Sequence, residues 1–205
     1  MWSSLTPEGP DEELLRRMSA PENEIPVALP LNVLLARTED AAVALTGLQV
    51  YTTGVSFTLI VAVRPSSLGR TGRGLNELVW EHGPGSPRFL LGVELSDGRR
   101  AGGHRGRGPE GDVVFHSGGG SGGAAFVDQS WWLSPLPPGG PVRFVLRCDE
   151  LGIGETTTVI DGSTIRRAAA EVVTLWPWEA PPEHHPSGPP SGPDVPPDSW
   201  FAGPS

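Results

Sequence analysis

From Val55 to Arg64 the side chains alternate without interruption. Val55, Phe57, Leu59, Val61 and Val63 share one parity, Ser56, Thr58, Ile60, Ala62 and Arg64 share the other, Gly54 opens the run and Pro65 ends it. A two-residue period sends successive side chains to opposite faces of an extended chain, which a helix cannot do. The same period recurs along the chain. Val27, Leu29, Leu31, Val33 and Leu35 alternate with Ala28, Pro30 and Asn32, a half-buried strand placed at a sheet edge because Pro30 cannot donate to a ladder. Between Leu45 and Leu48 the apolar parity switches across Thr46-Gly47, which predicts a bulge or break. Phe89, Leu91, Val93 and Leu95 share a face ahead of the turn signal Asp97-Gly98. Further short strands are expected at 112–117, 123–133, 142–148 and 155–160, separated by loop chemistry at 118–123, 135–141 and 151–154. About eight strands with frequent turns predict an all-β fold, an antiparallel β-sandwich of jelly-roll-like or Ig-like type.

Two helices are expected around it. Asp11 to Ser19 follows Pro10, carries acids in its first turn and has Arg16 and Arg17 later, as the helix dipole prefers. A short C-terminal helix capped by Ser163 would line Ile165, Ala169 and Val172 on one side and stop at Trp176-Pro177, plugging one end of the sandwich. Ten prolines fall between Pro177 and Pro204, in a stretch almost without aliphatic side chains that cannot build a core. The chain therefore divides into an acidic N-terminal helical arm (1–26), a β-sandwich domain (27–178) and a disordered, proline-rich acidic tail (179–205).

The net charge of −9 divides along the same boundaries: −4 in the arm, −4 in the tail and −1 in the domain. A near-neutral domain offers no field for nucleic acid or an anionic membrane, so neither is expected as a partner. All 15 basic residues are arginine, which excludes Schiff-base chemistry and a lysine-bearing P-loop. Cys148 is the single cysteine, so no intrachain disulfide, Cys-rich zinc site or iron–sulfur cluster can form. The acidic start does not read as a secretory signal, the longest apolar run (59–63) is far too short to span a bilayer, and a lone thiol suits a reducing compartment, so a cytoplasmic location is expected.

Two familiar motifs occur in the wrong setting. Gly106, Gly108 and Gly111 have dinucleotide-loop spacing, but Pro109 interrupts them and a strand, not a helix, is expected to follow. Gly119, Ser121 and Gly123 match a nucleophile elbow, yet Ala124 to Leu133 reads as a strand where an elbow requires a helix. Neither supports a cofactor or a nucleophile. Arg99, Arg100, His104, Arg105 and Arg107 form the one basic concentration, a candidate clamp for phosphate or carboxylate because guanidinium groups bind such anions bidentately.

The aromatics supply a second candidate set. Adjacent Trp131 and Trp132 on a strand must point to opposite faces, so one is core and the other is exposed, tucked under a helix, or a ligand platform; Trp132 and Trp178 are the candidates. Cys148 shares parity with Val142, Phe144 and Leu146 and should be a buried, inert thiol. His116 lies opposite the apolar parity, facing solvent or a helix, and the tail pair His184-His185 is expected to bind no metal. No catalytic residue, metal or cofactor is assigned. In the tail, Trp200 and Phe201 after Asp198-Ser199 look like a docking anchor on a flexible chain.

The string Trp132-Leu133-Ser134-Pro135-Leu136-Pro137-Pro138, then Pro141-Val142-Arg143-Phe144-Val145 and Leu151-Gly152-Ile153, is similar to uncharacterised small proteins of high-GC, actinobacterial-type genomes. The lysine-free, arginine-rich composition agrees with such a source. The resemblance spans 115–178 and implies no activity or ligand. The functional expectation is a non-catalytic binding or protein-interaction module with a protein partner. The alternatives are a small hydrolase or isomerase pairing His116 or His104 with Asp112 or Asp128, and an anion sensor built on the arginines of 97–112.

Overall fold

The computed structural model describes residues 12–68, 74–80, 88–102 and 112–180. In chain order the elements are α1 (Glu12–Met18), β1 (Glu24–Ile25), β2 (Val27–Leu29), β3 (Val33–Arg37), β4 (Ala41–Val50), β5 (Val55–Val63), α2 (Leu75–Trp80), β6 (Leu90–Glu94), β7 (Arg100–Gly102), β8 (Val114–Gly122), β9 (Phe126–Ser134), β10 (Pro141–Cys148), β11 (Ile153–Asp161), α3 (Gly162–Ala169) and β12 (Val173–Thr174). They form an all-β, antiparallel sandwich. A six-stranded sheet runs β2-β4-β5-β9-β8 with β3 also on β4, a four-stranded sheet runs β11-β10-β6-β7, and β1 pairs with β12 in a separate ribbon.

The alternation in β5 produces the expected result: Val55, Phe57, Leu59 and Val61 are buried between the sheets and Ser56, Thr58 and Ile60 face outward. Across the core, Phe57 of the large sheet meets Phe144 of the small one edge to face at 5.5 Å, with Trp131 stacked on Phe57 at 6.4 Å. Such aromatic contacts add to the area they bury. One seam is closed by a bulge. The register slip between Leu34 and Ala36 frees the Leu35 carbonyl from the ladder, and the hydroxyls of Thr156 and Thr158 on β11 donate to it at 3.3 and 3.4 Å.

The predicted bulge in β4 is present between Thr46 and Gln49, with Gly47 at φ 61°. Other expectations change. The run 27–35 is two strands, because Pro30 interrupts the ladder; Leu29 pairs with Leu48 and Val33 with Leu45 on the same β4. These splits and the short β1, β7 and β12 raise the strand number above eight. The stretch 118–123, expected as a loop, is mostly strand: Gly120, Ser121 and Gly122 pair with Gln129, Asp128 and Val127, and the turn falls at 123–125. Gly120 is needed there because a Cβ would lie 2.1 Å from the Asp128 carbonyl oxygen.

A helix the sequence reading missed, α2, lies in the connection before β6 and buries Leu75, Leu78 and Val79. The cap of α3 is Asp161 rather than Ser163: the carboxylate accepts from the Ser163 and Thr164 amides at 2.9 and 3.2 Å. A charged two-oxygen acceptor at that position serves both orphan donors. The helix ends at Ala169, before Val172, because the following residues turn back to form β12 against β1. No helix among the described residues is long and apolar enough to cross a membrane.

Candidate binding surface

Because Phe57 pairs with Trp131 and Ser56 with Trp132, Trp131 enters the core and Trp132 emerges on the outer face of the large sheet. There α1 covers it. The Trp132 indole N–H donates to the Arg17 carbonyl at 2.8 Å, His116 donates from Nε2 to the Met18 carbonyl at 2.9 Å, and Met18 and Ala20 pack on Tyr51, Val114 and Trp132. Trp132 is 5% exposed, so the arm hides it and no open ligand platform exists at that position. The arm is thus part of the domain's surface.

The arginine candidates separate. Arg99 folds back on its own turn, with Nε and NH2 donating to Asp97 at 2.8 and 2.7 Å; this hydrogen bond holds the Asp97 carboxyl below its ordinary pKa and pushes the guanidinium up. Arg100 meets Glu94 at 2.5 Å across the β6–β7 ladder, and Glu94 also accepts from Arg143 at 3.1 Å. Both guanidinium groups already hold a carboxylate of this chain, Arg100 through one nitrogen while its side chain stays 77% exposed. His104, Arg105 and Arg107 lie outside the described residues, as do Trp200, Phe201 and the Gly106–Gly111 motif.

Of the residues considered for catalysis, His104 lies outside the described residues, and His116 and Asp128 stand apart. His116 pairs with Trp132 and Asp128 with Ser121, so they sit four residues apart along β9, about 14 Å at about 3.4 Å per residue. Asp128 instead accepts from the Ser121 hydroxyl and, at 3.3 Å, from the Ser121 amide, which ties that serine into the hairpin. Cys148 is fully buried and its thiol is pushed up to about 11 by desolvation, so the nucleophilic thiolate is suppressed. A cleft of about 280 Å³ beside Thr38, Glu39, Asp40, Val63 and Leu151 has two of its carboxylates paired with arginines, Asp40 with Arg64 at 3.7 Å and Glu150 with Arg88 at 3.0 Å.

The β1–β12 ribbon is a surface that sequence reasoning did not single out. Its Glu24 face is anchored to the β4–β5 turn, where the Thr52 amide donates to the carboxylate at 2.9 Å and the Thr52 hydroxyl makes a second bond. Asn23, itself buried, continues the tie: its carbonyl accepts from the Leu175 amide at 2.8 Å, and its side-chain amide donates to the Trp176 carbonyl at 2.8 Å. The other face is apolar and open. Ile25 lies directly opposite Val173, and Leu175 follows two residues on; Ile25 and Val173 are 52% and 53% exposed, and Trp176, the next residue in the chain, is exposed as well. Trp178 is half-buried, with the Arg16 guanidinium over its ring at 4.5 Å, a cation–π contact to α1. The pairing signal was weak in sequence because each strand is only two residues long.

Fold and surface together define a β-sandwich with a rigidly anchored apolar ribbon. Comparison with protein-family models, with curated proteins and with solved structures returns no match.

Proposed function

We propose that this chain is a non-catalytic binding module whose partner is a protein, engaged through the β1–β12 ribbon. One observation carries this reading: Ile25, Val173 and Leu175 stand exposed on one face of a ribbon whose other face is tied down through Glu24 to Thr52. Monomeric proteins seldom leave clustered large apolar side chains in water, and such clusters mark interaction sites. The anchoring matters as much as the exposure, since a preorganised patch loses little entropy on binding. Trp176, exposed beside Leu175 in the chain, is of the aromatic type enriched among the residues that dominate interface energy.

A catalytic reading on His116 and Asp128 lacks support, the two being held at separate ladder positions. An anion-sensing reading would draw on Arg99 and Arg100 while each is already paired, with Asp97 and Glu94. The near-neutral domain supports a protein rather than a nucleic-acid partner, and the unpaired Cys148 agrees with a cytoplasmic setting.

The test is quantitative crosslinking and capture from extracts of the source cells, with the full chain and with a Val173→Asp, Leu175→Asp variant. Both positions are exposed, so the variant should melt as the parent does. Loss of a specific protein from the variant's captures is the expected result. Equal recovery on both baits would eliminate the ribbon as the contact.

A further inference from the structure

The cleft of about 280 Å³ lies where the two sheets meet. The large sheet gives it the β3–β4 turn, with Thr38, Glu39 and Asp40, and the paired ends of β4 and β5 at Ala41 and Val63. The small sheet gives it the turn between β10 and β11, with Glu150 and Leu151. These walls are fixed to one another. The Arg64 amide donates to the Asp40 carbonyl at 2.7 Å, the Arg64 guanidinium donates to the Glu39 carbonyl at 2.9 Å, and the Thr38 hydroxyl donates across the seam to the Leu151 carbonyl at 3.4 Å. A site held in this way needs little ordering when a ligand enters.

Asp40 and Glu150 have arginine partners in Arg64 and Arg88, whereas Glu39 is exposed and has no ion-pair partner among the described residues. Ser67 lines the same cleft at 5% exposure, and its hydroxyl makes no hydrogen bond to any described residue. A buried hydroxyl without a partner is costly unless something that enters the site supplies one. Ala41, Val63 and Leu151, all buried, make the rest of the lining largely apolar. One carboxylate without a cation, one hydroxyl and an apolar wall suit a single positive charge on a short aliphatic body, and the volume is at the small end for ligand pockets. A metal ion is a poorer match, since no group of three carboxylate, histidine or cysteine side chains among the described residues could hold one. We propose that this cleft binds a primary ammonium group on an aliphatic chain, with Glu39 facing the charge, the Ser67 oxygen accepting an N–H, and the aliphatic carbons on Val63 and Leu151. The chain has no lysine, so a side-chain ammonium comes from another molecule, either a free amine or the lysine of a protein. No residue of the ribbon lines the cleft, and neither proposal needs the other.

The experiment titrates the isotope-labelled full chain with n-butylammonium chloride and follows the amide resonances of Glu39, Ser67 and Gly152. Butan-1-ol, and sodium chloride at matched ionic strength, are the controls. The amine alone should give saturable shifts at these residues, with a dissociation constant on the order of millimolar for a few buried methylenes and one exposed ion pair. Glu39→Gln, at an exposed position, and Ser67→Ala should each weaken binding about threefold while the rest of the spectrum stays as in the parent. Nα-acetyl-lysine amide then separates the two sources: tighter binding than butylammonium assigns the cleft to a protein's lysine, and weaker binding assigns it to a free amine. No saturable shift, equal shifts from butan-1-ol, or unchanged affinity in Glu39→Gln would each overturn the proposal.

Discussion

Gly119 and Gly120 are chemically identical neighbours in β8 with opposite tolerances. A Cβ built on Gly120 would stand 2.1 Å from the Asp128 carbonyl oxygen and 2.9 Å from the Gln129 Cα, both on the paired strand β9. Neither atom is the movable end of a side chain. A Cβ on Gly119 meets nothing within 4 Å. Gly120→Ala should therefore push the β8–β9 hairpin apart, at a cost of the 1–3 kcal/mol order, about that of overpacking. Gly119→Ala should leave the unfolding free energy within about 0.5 kcal/mol of the parent, as surface changes usually do. Urea unfolding of the two variants checks this, and equal behaviour would mean that β8 does not pair at Gly120. Composition concealed the difference. A run of glycines reads as flexible loop from the sequence because propensity reports freedom, whereas here the missing side chain is what lets two backbones approach.

At the scale of elements, the cap of α3 connects geometry to pH. The Asp161 carboxyl is held below the ordinary carboxylate range, first by the Ser163 amide and then by the Thr164 side chain. A lowered folded-state pKa means that the ionised cap stabilises the native chain above the unfolded value, and that this contribution disappears as pH falls through the folded one. Asp161→Ala should thus lower the melting temperature at neutral pH, and the gap between variant and parent should shrink as pH falls below about 4. Thermal melts at several pH values provide the measurement; a gap independent of pH would deny the carboxylate its capping role. The sequence reading put the cap two residues late because Ser163 and Asp161 are both good caps and only the position of the preceding strand decides between them. It recovered β5 and the β4 bulge well, where a clear parity ran over many residues. It lost α2, whose six residues carry too little periodicity to be distinguished from a connection, and the β1–β12 ribbon, whose two-residue strands have no period at all. Trp132 shows the same limit from another side. Adjacent tryptophans require opposite faces, which the structure bears out, but whether the outer one is bare or covered depends on α1, more than a hundred residues away in sequence.

For the molecule as a whole, the two layers share one buried core in which aromatic rings meet across the gap. Phe144 is the small sheet's contribution to an aromatic cluster, edge to face with Phe57 at 5.5 Å and 6.5 Å from Phe115, and it is almost fully buried. Removing such a ring from a core costs about 3–5 kcal/mol through lost transfer energy and the cavity left behind. A domain of this kind has only about 5–15 kcal/mol of total stability, so the change consumes a large part of it. Val159, on β11 of the same sheet, is 55% exposed and should tolerate truncation to alanine within about 0.5 kcal/mol. If the sheets are coupled through the aromatic cluster, Phe144→Ala should shift the urea midpoint strongly downward with an unchanged slope, and the near-ultraviolet signals of Trp131 and Phe57 should vanish in the same transition. If the layers melt separately, the slope should fall and the large sheet should retain its tryptophan signal past the first transition. The first outcome is expected, because the Thr156 and Thr158 hydroxyls also bind the large sheet through the Leu35 carbonyl, and a seam closed at one edge leaves the layers no independent way to part.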